Sequence, residues 1–79
     1  MPIDYKKNQA LLREIVSVED AETLLGWLQN KPSAKIDLSH CNHLHPANLQ
    51  VLMAAGRPIS AWPNDAGLRA WIEPALQPK

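Results

Sequence analysis

The sequence predicts a small α/β domain: a central mixed sheet of about four strands, with helices packed mainly on one face. Three observations carry this. Strand-like and helix-like segments alternate along the chain. The helix-like segments place apolar residues at i, i+3 and i+4, and residues suited to caps stand at their ends. Of the 79 residues, 46% are apolar and 20% are charged, enough for a core and too few charges for a disordered chain. One domain over residues 1–79 is expected, with a net stability of roughly 4–8 kcal/mol. Strand–helix alternation favours parallel neighbours joined by right-handed crossovers. With so few helices, one sheet face is expected to be thinly covered.

Residues 1–9 are polar with scattered apolar positions, and Ile3 and Tyr5 alternate with Asp4 and Lys6 as in a short edge strand. Residues 10–16 suit a strand or a helix. The β-branched pair Ile15 and Val16, followed at once by a helix start, selects the strand. Ser17 is a helix-capping residue, and Asp20 answers it three positions on. Val18, Ala21, Leu25 and Leu28 then share a face with Leu24, until Asn30, Lys31, Pro32 and Ser33 end the helix. Residues 34–38 read as a strand, Ile36 and Leu38 to one side and Lys35 and Asp37 to the other. A polar loop is expected over 39–45. Pro46 opens a second helix running to about Ala55, with Leu49, Leu52 and Met53 as its apolar stripe and Gly56 as its stop. Residues 58–62 read as a last short strand. Asn64 or Asp65 caps a third helix through Leu68, Trp71 and Ile72, and Pro74 limits it.

Charge and cysteine usage exclude several classes. Eight Lys and Arg balance eight Asp and Glu, so the chain lacks the basic excess of a nucleic-acid binder or a polybasic membrane-surface protein. Cys41 is the single cysteine and has no partner for an internal disulfide, as expected of a reducing compartment. No apolar run approaches the ~20 residues that span a bilayer, and no signal-peptide core opens the chain. A cytoplasmic protein without membrane insertion is the expectation.

Two clusters suggest chemistry. His40, Cys41, His43 and His45 fall within one short stretch and are zinc-type ligands, so a metal-binding or metal-sensing module is one alternative function. Their spacing matches no established zinc pattern. The weighing favours no metal and no cofactor, with Cys41 and one histidine packed against the sheet edge. Asp37, Ser39 and His40 have the residue types of an orienter, a nucleophile and a base. Near-adjacency in sequence rarely gives a converging triad, and no glycine-rich elbow accompanies them, so no enzymatic activity is expected. Asp37 is expected instead to accept backbone N–H groups. Trp71 is expected in the core, and Trp27 half-buried over it.

The residues that carry a family resemblance are Asp37, Leu38 and Ser39 closing a strand, a short gap, and then a turn opening the apolar helix that runs from Leu49 to Ala55. This block, with the flanking order of elements, resembles the centre of STAS domains, the anti-sigma-factor-antagonist-like domains, over about 50 residues of the sequence. In that pattern His45 stands for the turn's Asp, Pro46 for the first Ser, Ala47 for the phosphorylatable Ser or Thr, and Asn48 for the Gly. The resemblance implies a STAS-like fold and a regulatory, protein-binding surface in a bacterial-type signalling system. The implied partners are an anti-sigma factor, another kinase-like ATPase, a signalling scaffold or a transporter ATPase. Ala47 has no hydroxyl, so binding is expected without the family's phospho-switch. The implied partner-binding set is Asp37, Ser39, His45, Pro46, Ala47 and Asn48, with the free N–H groups of the helix start pointing outward. A structural subunit that forms a homo-oligomer is the remaining alternative.

Overall fold

The N-terminal alternation folds as expected. In the computed structural model, which describes residues 3–76, β1 (Ile3–Tyr5) pairs antiparallel with β2 (Gln9–Val16), Ile3 opposite Leu12 and Tyr5 opposite Ala10. Residues 1, 2 and 77–79 of the expected single domain lie outside the described ones. Along β2 the alternation buries Ala10, Leu12 and Val16 and leaves Arg13 facing solvent, where it meets Asp4 of β1 at 2.8 Å.

Ser17 turns the chain into a single 3-10 turn, Val18–Asp20, and then α1 (Ala21–Gln29). The Asp20 carboxylate accepts both the Ser17 N–H (3.0 Å) and the Ser17 hydroxyl (3.2 Å), so the expected pairing of cap and acid is present. The expected apolar stripe is only partly buried. Leu24 and Leu28 enter the core, whereas Leu25 is 36% and Val18 53% exposed. A 3-10 turn has three residues per turn, so Val18 falls out of phase with the α-helical face that follows.

β3 (Lys35–Leu44) runs parallel to β2 and departs most from expectation. The polar loop expected over 39–45 is strand as far as Leu44. β3 absorbs its extra length in two register shifts. It advances three residues against two between Asp37 and His40, and two against one between Cys41 and His43. These bulges keep Cys41 and Leu44 in the core while Ser39, His40, Asn42 and His43 stay outside it, which is why the segment has the composition of a loop.

α2 (Pro46–Ala55) ends on Gly56 in the left-handed conformation, φ 64°, whose N–H returns to the Leu52 carbonyl at 3.1 Å. Leu49 and Leu52 are buried as expected. Met53 is 46% exposed instead, and Asn48 takes an inward place. β4 (Ile59–Ala61) adds parallel to β3, shorter than the 58–62 expected. α3 (Ala66–Leu76) is capped by Asp65, whose carboxylate accepts the Leu68 N–H at 2.9 Å. It buries Leu68 and Ile72, while Trp71, expected in the core, is 46% exposed. Pro74, expected to limit the helix, lies inside α3, which is helical on both sides of it up to Leu76, the last described residue.

The sheet order is β1-β2-β3-β4, so the strand through Ile36 and Leu38 is internal, as expected. Leu24, Leu28, Leu49, Leu52, Leu68 and Ile72 from the helices share one core with Ile36, Leu38, Cys41 and Leu44 of β3. All three helices therefore cover one face. Among the described residues no helix covers the other face, which carries Arg13, Lys35, Asp37, Ser39 and His40. Trp27 is half-buried, its ring 5.1 Å from that of Tyr5. Among the described residues no helix is long and apolar enough to cross a membrane.

Candidate functional site

The start of α2 is built from three chain segments. The parallel ladder ends with Val16 opposite Leu44, and the next residue, His45, donates its N–H to the Val16 carbonyl at 2.9 Å. His45 is extended, and its Nδ1 accepts the Ala47 N–H at 3.0 Å. Pro46 occupies the first helical position, where no N–H is needed. Asn48 is fully buried, and its Nδ2 donates to the Ser17 carbonyl at 2.6 Å. That bond fastens the helix start to the junction between β2 and α1. Asn48 Oδ1 is buried without a hydrogen-bond partner among the described residues.

This arrangement corrects one expectation. The Ala47 N–H is taken by the His45 ring and the Asn48 N–H by the His45 carbonyl at 2.9 Å, so the helix start is largely capped by its own residues. What it presents outward is mainly shape and apolar surface. Pro46 is exposed and Ala47 half-buried. Ile15 and Val18, on either side of the Val16–Ser17 backbone that holds His45 and Asn48, are 63% and 53% exposed. The patch stands at the carboxyl ends of parallel strands β2 and β3, where open α/β sheets place their binding sites.

Asp37 and Ser39 do not join this patch. Because β3 continues to Leu44, Ser39 lies six residues up the strand from His45, on the order of 20 Å at the usual rise per residue. Asp37 accepts the Ser39 N–H at 2.9 Å and the Ser39 hydroxyl at 2.7 Å, so it serves backbone N–H as expected. The Ser39 Oγ is also 3.0 Å from His40 Nδ1. The serine thus sits between the acid and the histidine. A catalytic triad needs the histidine in the middle, oriented by the acid. The six residues of the implied binding set therefore separate into Asp37 with Ser39 on the bare face, and His45, Pro46, Ala47 and Asn48 at the α2 start.

The histidine and cysteine stretch is spread along β3. Cys41 is in the core, its Sγ–H directed at the His43 carbonyl at 3.4 Å, and burial pushes the thiol up to about 11. His40 and His43 are exposed. Among the described residues no three His, Cys, Asp or Glu side chains form a group able to hold a metal ion.

Sequence reasoning missed Val18 as a surface residue, since it fits the inward stripe of the first helix on paper, and it assigned no face to Ile15, whose phase opposite Val16 points outward. It also missed Glu14. With Ala10, Leu12 and Val16 facing the core, Glu14 has the inward phase of β2, and a charge there is the signal that the strand is irregular. Its φ is 50°. Comparison with known proteins gives no matching family model, no matching curated protein and no matching solved structure.

Proposed function

We propose that this chain is a non-catalytic, regulatory protein-interaction domain of the STAS type that binds its partner through the α2 start without a phospho-switch. The single observation that carries the reading is the exposure of Ile15 (63%) and Val18 (53%) around Pro46 and Ala47. Two β-branched side chains left in water beside a rigid helix start are what an interface buries. The order of elements, with a first antiparallel strand and all helices on one face, is compatible with the resemblance carried by Asp37 to Ser39 and Leu49 to Ala55. The partner class remains the one the resemblance implies: an anti-sigma factor or other kinase-like ATPase, a signalling scaffold, or a transporter ATPase.

The test is Ala47→Asp, with Val18→Ser beside it. An aspartate in the first turn lies at the favourable end of the helix dipole, so the fold tolerates it. Inside an interface the same charge is desolvated without a counter-charge. The expected result is an unchanged melting temperature, with affinity for the partner recovered by tag-free pull-down weaker by at least tenfold, about 1.4 kcal/mol. Calorimetry reads it. Both variants binding as tightly as the parent removes the α2 start as the interface. Stoichiometric zinc retained after tag-free purification favours the metal module instead, and self-association at low concentration favours a structural subunit.

A further inference from the structure

The bare sheet face holds a groove that the α2 start does not use. It is an open cleft of about 510 Å³ lined by Arg13 and Glu14 of β2, Ser39, His40 and Asn42 of β3, and Asn64 after β4. That is the size range of small-molecule sites. The Asn64 N–H donates to the Ser39 carbonyl at 3.3 Å, which ties the segment after β4 to β3 and fixes one wall.

Glu14 reaches this groove only because its backbone is irregular. It pairs with Cys41, which is 1% exposed, and regular alternation would direct its carboxylate into the core. Burial of an unpaired carboxylate there is unfavourable enough to unfold a small domain. At φ 50° the residue adopts the left-handed conformation instead, and its side chain is exposed. A non-glycine residue is strained in that conformation, because its Cβ crowds the neighbouring carbonyl. A threonine or valine in regular strand geometry would avoid both the strain and the charge. Local conflict of this kind concentrates at functional positions.

The lining defines what fits. Among the described residues, the side chains of Glu14, Asn42 and Asn64 make no hydrogen bond or ion pair, so their donors and acceptors are uncommitted. His40 uses Nδ1 toward Ser39 and leaves Nε2 free. Arg13 engages Asp4 through one Nη, leaving further N–H donors. Donors and acceptors side by side match a hydroxyl group, which both gives and takes a hydrogen bond. Asp4 already balances Arg13, so an anion meets the unpaired carboxylate of Glu14, while a cation meets the Arg13 guanidinium. A zwitterion's carboxylate needs the guanidinium fork, and Asp4 already holds part of it. We propose that the groove is a binding site for a small uncharged polyhydroxylated molecule, a sugar or polyol.

The test is titration of the full ¹⁵N-labelled chain with maltose and with myo-inositol, and separately with glycine and with inorganic phosphate. The expected result is saturable shifts with at least one polyol, confined to Arg13, Glu14, His40, Asn42 and Asn64, and none with glycine or phosphate. Glu14→Gln and Asn42→Ala are expected to weaken that binding at least tenfold. Glu14→Gly should weaken it equally while raising the melting temperature, because glycine relieves the backbone strain, so the loss cannot be attributed to unfolding. No saturable shift with either polyol, shifts produced by glycine or phosphate instead, or undiminished binding in both Glu14 variants overturns the proposal.

Discussion

Arg57 joins the far ends of two helices, and its removal is the sharpest test of how the helix layer is held. Its Nη1 donates to the Ala55 carbonyl at 2.7 Å, its Nη2 to the Leu28 carbonyl at 3.0 Å, and its Nε to the Lys31 carbonyl at 3.3 Å. Ala55 is the last residue of α2, and Leu28 is in the last turn of α1. The Ala55 and Leu28 carbonyls lie at the negative ends of the two helix dipoles, and those of Leu28 and Lys31 also accept a backbone N–H each, from Lys31 at 3.2 Å and from Ala34 at 3.0 Å. The two shorter bonds carry most of the effect. A charged donor contributes about 1.5–3 kcal/mol where water is excluded and less where it is not. Arg57 is half-buried, so Arg57→Ala is expected to lose about 2–3 kcal/mol in all. At roughly 4–8 °C per kcal/mol for a domain of this size, the melting temperature falls by roughly 10–20 °C. Arg57→Lys should recover less than half of the loss, because one ammonium cannot span three carbonyls as the planar fork does. Urea unfolding followed by tryptophan fluorescence and by far-ultraviolet circular dichroism gives both numbers. A loss below about 0.5 kcal/mol for Arg57→Ala, or full recovery with lysine, would show that backbone N–H groups and water satisfy these carbonyls without the guanidinium fork.

Leu52 is 3% exposed between α2 and the sheet, and Leu52→Ala is expected to cost about 2–4 kcal/mol by urea unfolding; a loss under about 1 kcal/mol would refute tight packing of α2. Cys41 predicts a pH effect. Its thiol is raised from 9.0 to about 11 in the fold, chiefly by burial, so the folded state holds the proton longer than the unfolded state. The stability it contributes is complete below about 9 and is lost as pH rises toward about 11. Tyr5, raised by burial and then by the charge of Asp20, acts in the same direction, so the quantity to measure is the difference between the parent and Cys41→Ala. The parent's advantage over Cys41→Ala in urea midpoint should be largest and constant up to about pH 9 and shrink as pH rises toward about 11; a pH-independent difference would contradict the burial of this thiol.

The parts of the fold readable in the sequence are those set by short-range chemistry. Pro46, Gly56 and Asp65 act on their own turns, and all three mark helix ends as expected. The second half of β3 was not readable. Ser39, His40, Asn42 and His43 are polar because they face away from the core, and two bulges break the period that would have revealed Cys41 and Leu44 as inward residues. The inward Asn48 escaped for a related reason. Its place is set by the Ser17 carbonyl it must satisfy, a partner 31 residues away that hydrophobicity cannot reveal. The α2 start was legible as a feature, but not its surroundings. Val18 becomes surface only through the 3-10 turn, Ile15 has the outward phase of β2 but not the polarity that would mark it, and Asp37 and Ser39 leave the patch only because β3 is long.

The parallel pairing of β2 with β3 has a consequence for how the chain assembles. Val16 and Lys35 are separated by the 3-10 turn, α1 and the connection after it, so the ladder closes only when that crossover is in place. The β1–β2 hairpin is local and forms early, yet it buries little until α1 arrives. The folding transition state is therefore expected to contain β2, α1 and β3, with β4 and α3 docking afterwards. Substitutions at Leu24 or Ile36 should then slow refolding, whereas Ile72→Val should chiefly hasten unfolding, and stopped-flow measurements in urea separate the two.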